Sequence, residues 1–267
     1  MDQHPSETIE AAALKDLHAA AAPDIRQQLG LELRSDDRAV TSVAAALPAS
    51  AIVINRALGF GLDAPVSRDT LEQMVGAYRD AGVARFFIQR HPDALPTDLA
   101  AWLETMGLAK ARGWQKFERP GTAAPDIQTD LVIRPVGREH GEAFASIVCN
   151  AFDLGNAARP WLAELPGRDG WHVFMSFAGD TPAGTGALFV QGQHAWSDFG
   201  ATAPEFRRRG SQGAVLARRI DHAVGLGCNR IFTCTGEDVA GDPQHSYRNI
   251  LRLGFEPTYV RENYAPA

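Results

Sequence analysis

Residues 203–214, Ala-Pro-Glu-Phe-Arg-Arg-Arg-Gly-Ser-Gln-Gly-Ala, join an apolar, strand-like run (Ala195 to Thr202) to a well-patterned helix. Three arginines, two glycines and a serine stand at that junction. A loop of this kind, opening directly into a helix N-terminus, gathers free backbone N–H groups, the positive end of the helix dipole and fixed positive charge in one place. Cations at a helix N-terminus oppose the dipole by roughly 0.3–1 kcal/mol each, and a bound anion relieves that cost. Gly210 and Gly213 permit close approach or positive φ, so the N–H groups of about residues 208–214 can converge on a diphosphate. No Gly-Lys-Ser/Thr follows, which argues against an ATP-type phosphate loop.

The rest of the composition narrows the class. At 267 residues, a chain usually splits its core into two domains. Apolar content of 45% and charged content of 22% are those of a soluble globular protein. The net charge of −6 disfavours non-specific nucleic-acid binding and mildly favours an amine partner. Met1 to Ala22 has no basic-then-apolar signal pattern, and no run approaches the ~18 apolar residues that cross a membrane, so a cytoplasmic protein is expected. Cys149, Cys228 and Cys234 have neither metal nor redox spacing and read as reduced thiols. His194, His222 and His245 form no metal-ligand pattern, so no metal is expected.

Along the chain, residues 1–30 read as helix and Ala51–Ile54 as a short strand. A helix capped by Ser67 carries Leu71, Met74, Val75 and Tyr78 at helical spacing and stops near Gly82. Strand Arg85–Gln89, helix Pro96–Met106 and strand Gly113–Glu118 follow. The Pro/Gly/Ala-rich stretch after Arg119 is a linker, dividing the chain into 1–120, linker 121–129, and 130–267.

The second block reads as strand Leu131–Pro135, helix Glu139–Phe152, short helix Arg159–Leu165, strands Trp171–Phe177, Pro182–Gln191 and His194–Thr202, helix Ser211–Gly225, strand Arg230–Thr235, helix Pro243–Leu253 and strand Thr258–Tyr264. Antiparallel hairpins followed by a βαβ crossover give an α+β layered fold. The first block parallels this ending: Pro65, helix, Gly82, strand, helix and Gly107-Leu108 match Pro204, helix, Gly227, strand, helix and Gly254-Phe255. It reads as a repeat whose first copy lacks the arginine–glycine loop.

Pro204 to Ala214 resembles the acetyl-CoA loop of the GCN5-related N-acetyltransferases, Pro-x-x-Arg/Gln-x-x-Gly-x-Gly/Ala. Arg207 and Gly210 fit their slots; Gln212 stands where the family has glycine or alanine, and Gly213 comes one position late. The strand order around the loop and the closing Gly254-Phe255 also resemble the family, over about residues 130–267. The resemblance implies a mixed, splayed β-sheet flanked by helices in a C-terminal domain, preceded by a smaller degenerate α/β domain. It implies acetyl-CoA as co-substrate and direct attack by an amine in a ternary complex, without an acyl-enzyme. The acceptor is then a small-molecule or peptide amine, and the protein a monomer or homodimer with neither nucleic acid nor membrane as partner.

The cofactor-binding residues expected from the resemblance are Phe199, Gly200, Ala201 and Thr202 on the strand before the loop, where Gly200 is consistent with a bulge. They continue through Arg207, Arg208, Arg209, Gly210, Ser211, Gln212, Gly213 and Ala214, and include Ser246 and Asn249 on the last helix. A backbone N–H near Phe199 or Gly200 is placed to polarise the thioester carbonyl. The family's usual tyrosine acid is missing, because Ile250 stands in its slot; Tyr247 is the substitute candidate. Glu237 is the first candidate base, with Asp198 as the alternative and Asp238 beside them. The rival reading from another class is a non-catalytic acyl-CoA-binding sensor.

Overall fold

Helices and strands follow the hydrophobic patterning closely in the second block and less closely in the first. The computed structural model describes residues 2–242 and 244–267. Helices α1 (Pro5–Ala19) and α2 (Pro23–Leu29) precede a hairpin of β1 (Leu31–Asp36) and β2 (Ala39–Ala44). Then come β3 (Arg56–Leu58), α3 (Arg68–Asp80), β4 (Phe87–Arg90), α4 (Leu99–Thr105) and β5 (Leu108–Pro120). The second block holds β6 (Val132–Val136), α5 (Gly141–Phe152), α6 (Arg159–Leu162), β7 (Trp171–Ala178), β8 (Thr181–Gln191) and β9 (His194–Thr202). It closes with α7 (Ser211–Gly225), β10 (Arg230–Gly236), α8 (His245–Arg252) and β11 (Glu256–Pro266). Pro243, the expected start of the last helix, lies outside the described residues, as does Met1 at the start of the first.

Three features of the first block differ from the sequence reading. Ala51–Ile54 is not a strand: the Ile54 and Asn55 N–H groups both donate to the Ala51 carbonyl, at 3.0 and 2.9 Å. The run is apolar because Ala51 and Ile54 are buried, not because it is extended. The strand begins two residues later, at Arg56. The β1–β2 hairpin was also not expected. It turns on Asp37-Arg38, with Asp37 in the left-handed region at φ 43°, a conformation that aspartate tolerates better than most residues. The single N-terminal helix is two, with Pro23 starting the second.

Among the described residues, eleven strands form one sheet in the order β1-β2-β3-β4-β11-β5-β10-β9-β8-β7-β6. Its centre is the antiparallel pair β11 and β5. The last strand of the chain thus lies beside β4 of the first block, and the last strand of the first block lies beside β10 of the second. Outward from this centre the two sides repeat one pattern. The parallel pair β3/β4 is bridged by α3, and the parallel pair β9/β10 by α7; each is followed by antiparallel neighbours. Helix α1 also crosses between blocks: Ile9, Leu14 and Leu17 share one apolar core with Phe144, Trp161, Trp196 and Phe199. The Trp161 Nε1–H donates to the Leu17 carbonyl at 2.7 Å.

A fully buried ion network ties these pieces together. Glu7 and Glu10 lie on α1, Arg56 on β3, Lys116 on β5 and Arg261 on β11. The Arg261 Nη2 contacts Glu7 Oε1 at 2.6 Å and Glu10 Oε2 at 2.5 Å, and Lys116 Nζ contacts Glu10 Oε2 at 2.6 Å. Arg56 also pairs with Glu10, and the Tyr259 hydroxyl donates to Glu7. Burial alone would raise the Glu10 pKa, but Arg261, Lys116 and Arg56 outweigh it and hold the carboxyl well below its ordinary range. Removing one partner from such a network strands buried charge. Glu10→Ala, which leaves Arg56 and Lys116 without their carboxylate, is therefore expected to destabilise the fold by about 3–5 kcal/mol, read from the urea midpoint at constant slope. A change below about 1 kcal/mol would contradict the network's role.

Candidate functional site

Strand β9 starts as an ordinary strand and then departs from its neighbour. Its parallel pairing with β10 runs only over Ala195–Trp196 and Ile231–Phe232 beyond the first pair, His194 with Arg230. Past that point its pairing with β8 slips: Ala187 faces Asp198, but Thr185 faces Ala201. Phe199 and Gly200 form the bulge, with Phe199 at φ 49°. Two things hold this unusual backbone. Asp198 Oδ1 accepts the Phe199 N–H at 2.8 Å, and the Phe199 ring meets Phe144 and Phe152 edge-on at 6.3 and 6.1 Å. The N–H of Phe199, a candidate carbonyl polariser, is thus committed to Asp198.

Arg219 of α7 bonds both strands where the register slips. Its Nη1 donates to the Ala187 carbonyl at 2.8 Å and the Asp198 carbonyl at 2.9 Å. Gly186 makes room for this: a Cβ there would lie 2.6 Å from the Arg219 guanidinium carbon. Burial lowers the Arg219 pKa to about 10, with Asp198 pulling the other way, so the guanidinium is charged at neutral pH. The sequence places Arg219 on a helix whose apolar face is clear, but gives no sign that an arginine joins that face. Its signal, visible only afterwards, is the glycine on the facing strand.

Between the parted strands lies an inner cavity of about 220 Å³. Ser197, Asp198, Gly200 and Arg219 form one side and Thr233–Gly236 the other, while Val53, Arg56 and Trp114 of the first block close its end. Outside it, along the arginine loop, runs a larger cleft of about 840 Å³. Gly200 to Thr202, Arg207, Arg208, Gly210 to Gly213, Ser246 and Asn249 all line this cleft, together with Arg248 and Arg252 of α8, which the sequence reading did not single out. The sign of these two is their spacing of four on one helix face. Arg207, Arg208, Arg248 and Arg252 are exposed, and no carboxylate lines the cleft among the described residues.

The loop itself is braced from behind by the linker. Gly210 sits at φ 82°, and a Cβ would lie 2.7 Å from the Gln128 carbonyl oxygen. Thr129 donates to the Arg209 carbonyl at 2.6 Å, and the Arg209 side chain is paired with Asp130. The Arg209 side chain is therefore turned to Asp130, whereas Arg207 and Arg208 line the cleft. Ser211 is buried against Ser176, 2.7 Å between hydroxyls.

Gln212 stands where cleft and cavity meet and lines both. Its Nε2 donates to Ser246 Oγ at 3.0 Å, and its Oε1 accepts from Asn249 Nδ2 at 2.6 Å. The three expected binding residues thus form one bridge from α7 to α8. Ile250 lines the inner cavity, in the position discussed for a tyrosine. Tyr247 instead packs its ring against Phe117 at 4.9 Å and lines neither space. Glu237 lies beyond the end of β10, its carbonyl held by Arg112 at 2.8 Å, and does not line the cavity; Asp238 accepts the Gln244 N–H. Asp198 lines the cavity directly, Oδ2 accepting from Trp196 Nε1 at 3.0 Å. Elsewhere, His4, His91 and Asp93 bring ligand-type atoms within 4.8 Å of one another, a grouping not legible in the sequence; His91 Nδ1 already accepts the Asp93 N–H.

No protein-family model matches the chain, and no curated protein matches its sequence. Solved structures do resemble its fold. A GCN5-related N-acetyltransferase from Kribbella flavida aligns over 94% of this chain and 95% of its own at 17% identity, TM-score 0.60. One from Sphaerobacter thermophilus aligns over 74% and 65% at 13% identity, TM-score 0.59. A functionally unknown conserved protein from Staphylococcus epidermidis aligns over 93% and 98% at 9% identity, TM-score 0.57. With strands that part at a bulge, an arginine loop opening α7 and the Kribbella flavida structure aligned over 94% of it, the chain has the fold of the GCN5-related N-acetyltransferases.

Proposed function

We propose that the protein is an acetyl-CoA-dependent N-acetyltransferase acting by direct attack of an amine in a ternary complex. The observation that carries this is the outer cleft: four exposed arginines, a helix N-terminus and no lining carboxylate among the described residues, opening onto a gap between parted strands. A polyanion with a long neutral arm fits this arrangement. Arg207, Arg208 and the N–H groups leading into α7 would hold the diphosphate, with Arg248 and Arg252 available to the remaining phosphate. The free backbone edges of β9 and β10 would hold the arm. Gln212, bridging to Ser246 and Asn249, would exchange those bonds for bonds to the arm's amides.

Acetyl-CoA, when bound, supplies an activated acetyl group whose transfer forms an N–C bond and breaks a C–S bond, the electron pair leaving on sulfur. The chain's own part is to orient the amine and accept its proton. Asp198 replaces Glu237 as the first choice of base, because it is the carboxylate on the cavity wall among the described residues. Each of its oxygens accepts one hydrogen bond and keeps capacity for another. Ile250 offers no proton to the leaving sulfur, and none is obligatory: a thiol with a pKa near ~8.5 leaves readily as thiolate. Ile250 is also what favours the rival reading, a sensor that binds acyl-CoA without turnover. The first block reads as a shortened copy of the second, supported by the repeated strand pattern on the two sides of β11/β5.

Two measurements test this. The Arg207→Ala/Arg208→Ala pair should weaken CoA binding about 100-fold or more by calorimetry, each lost charged hydrogen bond costing roughly 1.5–3 kcal/mol, while Arg209→Ala stays within about threefold. Equal effects from all three would contradict the assignment. Asp198→Asn should lower kcat by about 10²–10⁴ with CoA affinity unchanged; full activity in that variant would remove Asp198 as the base, and tight CoA binding without turnover of any amine by the unaltered protein would favour the sensor.

A further inference from the structure

Strand β9 sets two side chains of one face next to each other. Residues two apart on a strand point the same way, so Trp196 and Asp198 both face the side of the sheet that carries α1 and α5. The Asp198 carboxylate accepts two bonds. Its Oδ1 takes the N–H of its own neighbour Phe199 at 2.8 Å, and its Oδ2 takes the indole Nε1–H of Trp196 at 3.0 Å. One bond leaves a carboxylate free to swing about Cβ–Cγ; a second donor, on the other oxygen, fixes its plane.

Trp196 is held in turn. The residue is 1% exposed, and Lys116 Nζ lies 4.1 Å from the centroid of its ring. A desolvated ammonium over an indole is attracted by the negative face of the ring. Lys116 belongs to β5 of the first block, is fully buried, and is paired with Glu10 of α1 at 2.6 Å. A row of contacts thus runs from α1 to the cavity wall through Glu10, Lys116, Trp196 and Asp198.

A second tryptophan–carboxylate contact shows what a purely structural one looks like. Trp171 Nε1 donates to Asp16 Oδ1 at 2.9 Å, but Asp16 is also paired with Arg168 at 2.6 Å. Its charge is spent on that arginine. Asp198 makes no salt bridge among the described residues, and it lines the cavity.

We infer that Trp196 is a positioning residue for the proton-accepting step: its indole N–H, seated on Lys116 of the first block, holds the Asp198 carboxylate in one orientation on the cavity wall. This rests on the reading of Asp198 as the base. It gives the first block a part in the chemistry besides closing the cavity.

The test is Trp196→Phe, which keeps an aromatic ring and removes the donor. Turnover is followed as thiol release from acetyl-CoA with an amine library, and CoA binding by calorimetry. Trp196→Phe should lower kcat by about 10- to 100-fold and leave CoA affinity and both KM values within about threefold. Because Trp196 acts through Asp198, the Trp196→Phe/Asp198→Asn double variant should lie within about threefold of Asp198→Asn alone. A ring that served only as wall or packing would raise KM or lower stability, and its loss would multiply with that of Asp198→Asn. Unchanged kcat in a folded Trp196→Phe, or losses that multiply in the double variant, would overturn the inference and leave acetyl transfer by Asp198 standing. Full activity in Asp198→Asn would overturn the base and the inference with it. Tight CoA binding by the unaltered protein without turnover of any amine would overturn acetyl transfer itself. If Trp196→Phe does not fold, the contact is read by NMR in protein carrying isotope-labelled tryptophan. Asp198→Asn should then move one indole N–H resonance well beyond the rest, and no such shift would overturn the inference.

Discussion

The site depends on one arginine filling one bulge. Arg219 donates to the carbonyls of Ala187 and Asp198, the last pair of β8 and β9 in register before the slip. A buried guanidinium bonded to both strands at the slip ties the irregular register to α7. The bulge ends the β9–β10 pairing at Trp196 and Phe232, and the parted strands open both the cavity and the free backbone edges beside it. The same helix that carries Arg219 begins at the arginine loop eight residues earlier, at Ser211. One helix therefore fixes both the anion-binding end and the parted strands, and their spacing cannot vary independently.

The other side of the cavity belongs to the first block. Arg56 and Trp114 close it, and both are held by the ion network that joins α1, β3, β5 and β11. A network of this kind adds little net stability over well-packed apolar side chains, but it fixes which groups face which. Here it sets the direction of Arg56 through Glu10, and the exchange of β5 and β11 between the two sides means that neither block can shift without disturbing the wall.

What the sequence made legible is what local chemistry decides. The arginine loop, α7 and the bulge at Gly200 were readable because each rests on residues close in the chain. The ion network was not: Glu10 meets Arg56, Lys116 and Arg261 across 46, 106 and 251 positions. For the same reason β3 was placed too early, since a buried arginine at its start breaks the apolar pattern that marks a strand. Glu237 was favoured as base because strand ends often line clefts. The geometry that separates it from Asp198, a carbonyl tied to Arg112 and a carboxyl off the cavity wall, lies in contacts with β5, distant in sequence. Arg248 and Arg252 were missed as cleft residues because exposed arginines on a helix look like any solvated face.

The central claim is that the parted β9 and β10 and the arginine loop serve one ligand. A crystal structure of the protein grown with CoA tests it most directly. The account expects the diphosphate on the N–H groups of residues 208–214 beside Arg207 and Arg208, and the pantetheine arm between β9 and β10, with Gln212 turned from Ser246 and Asn249 toward the arm. CoA bound on another surface, or a gap left empty with the Gln212 bridge intact, would contradict it.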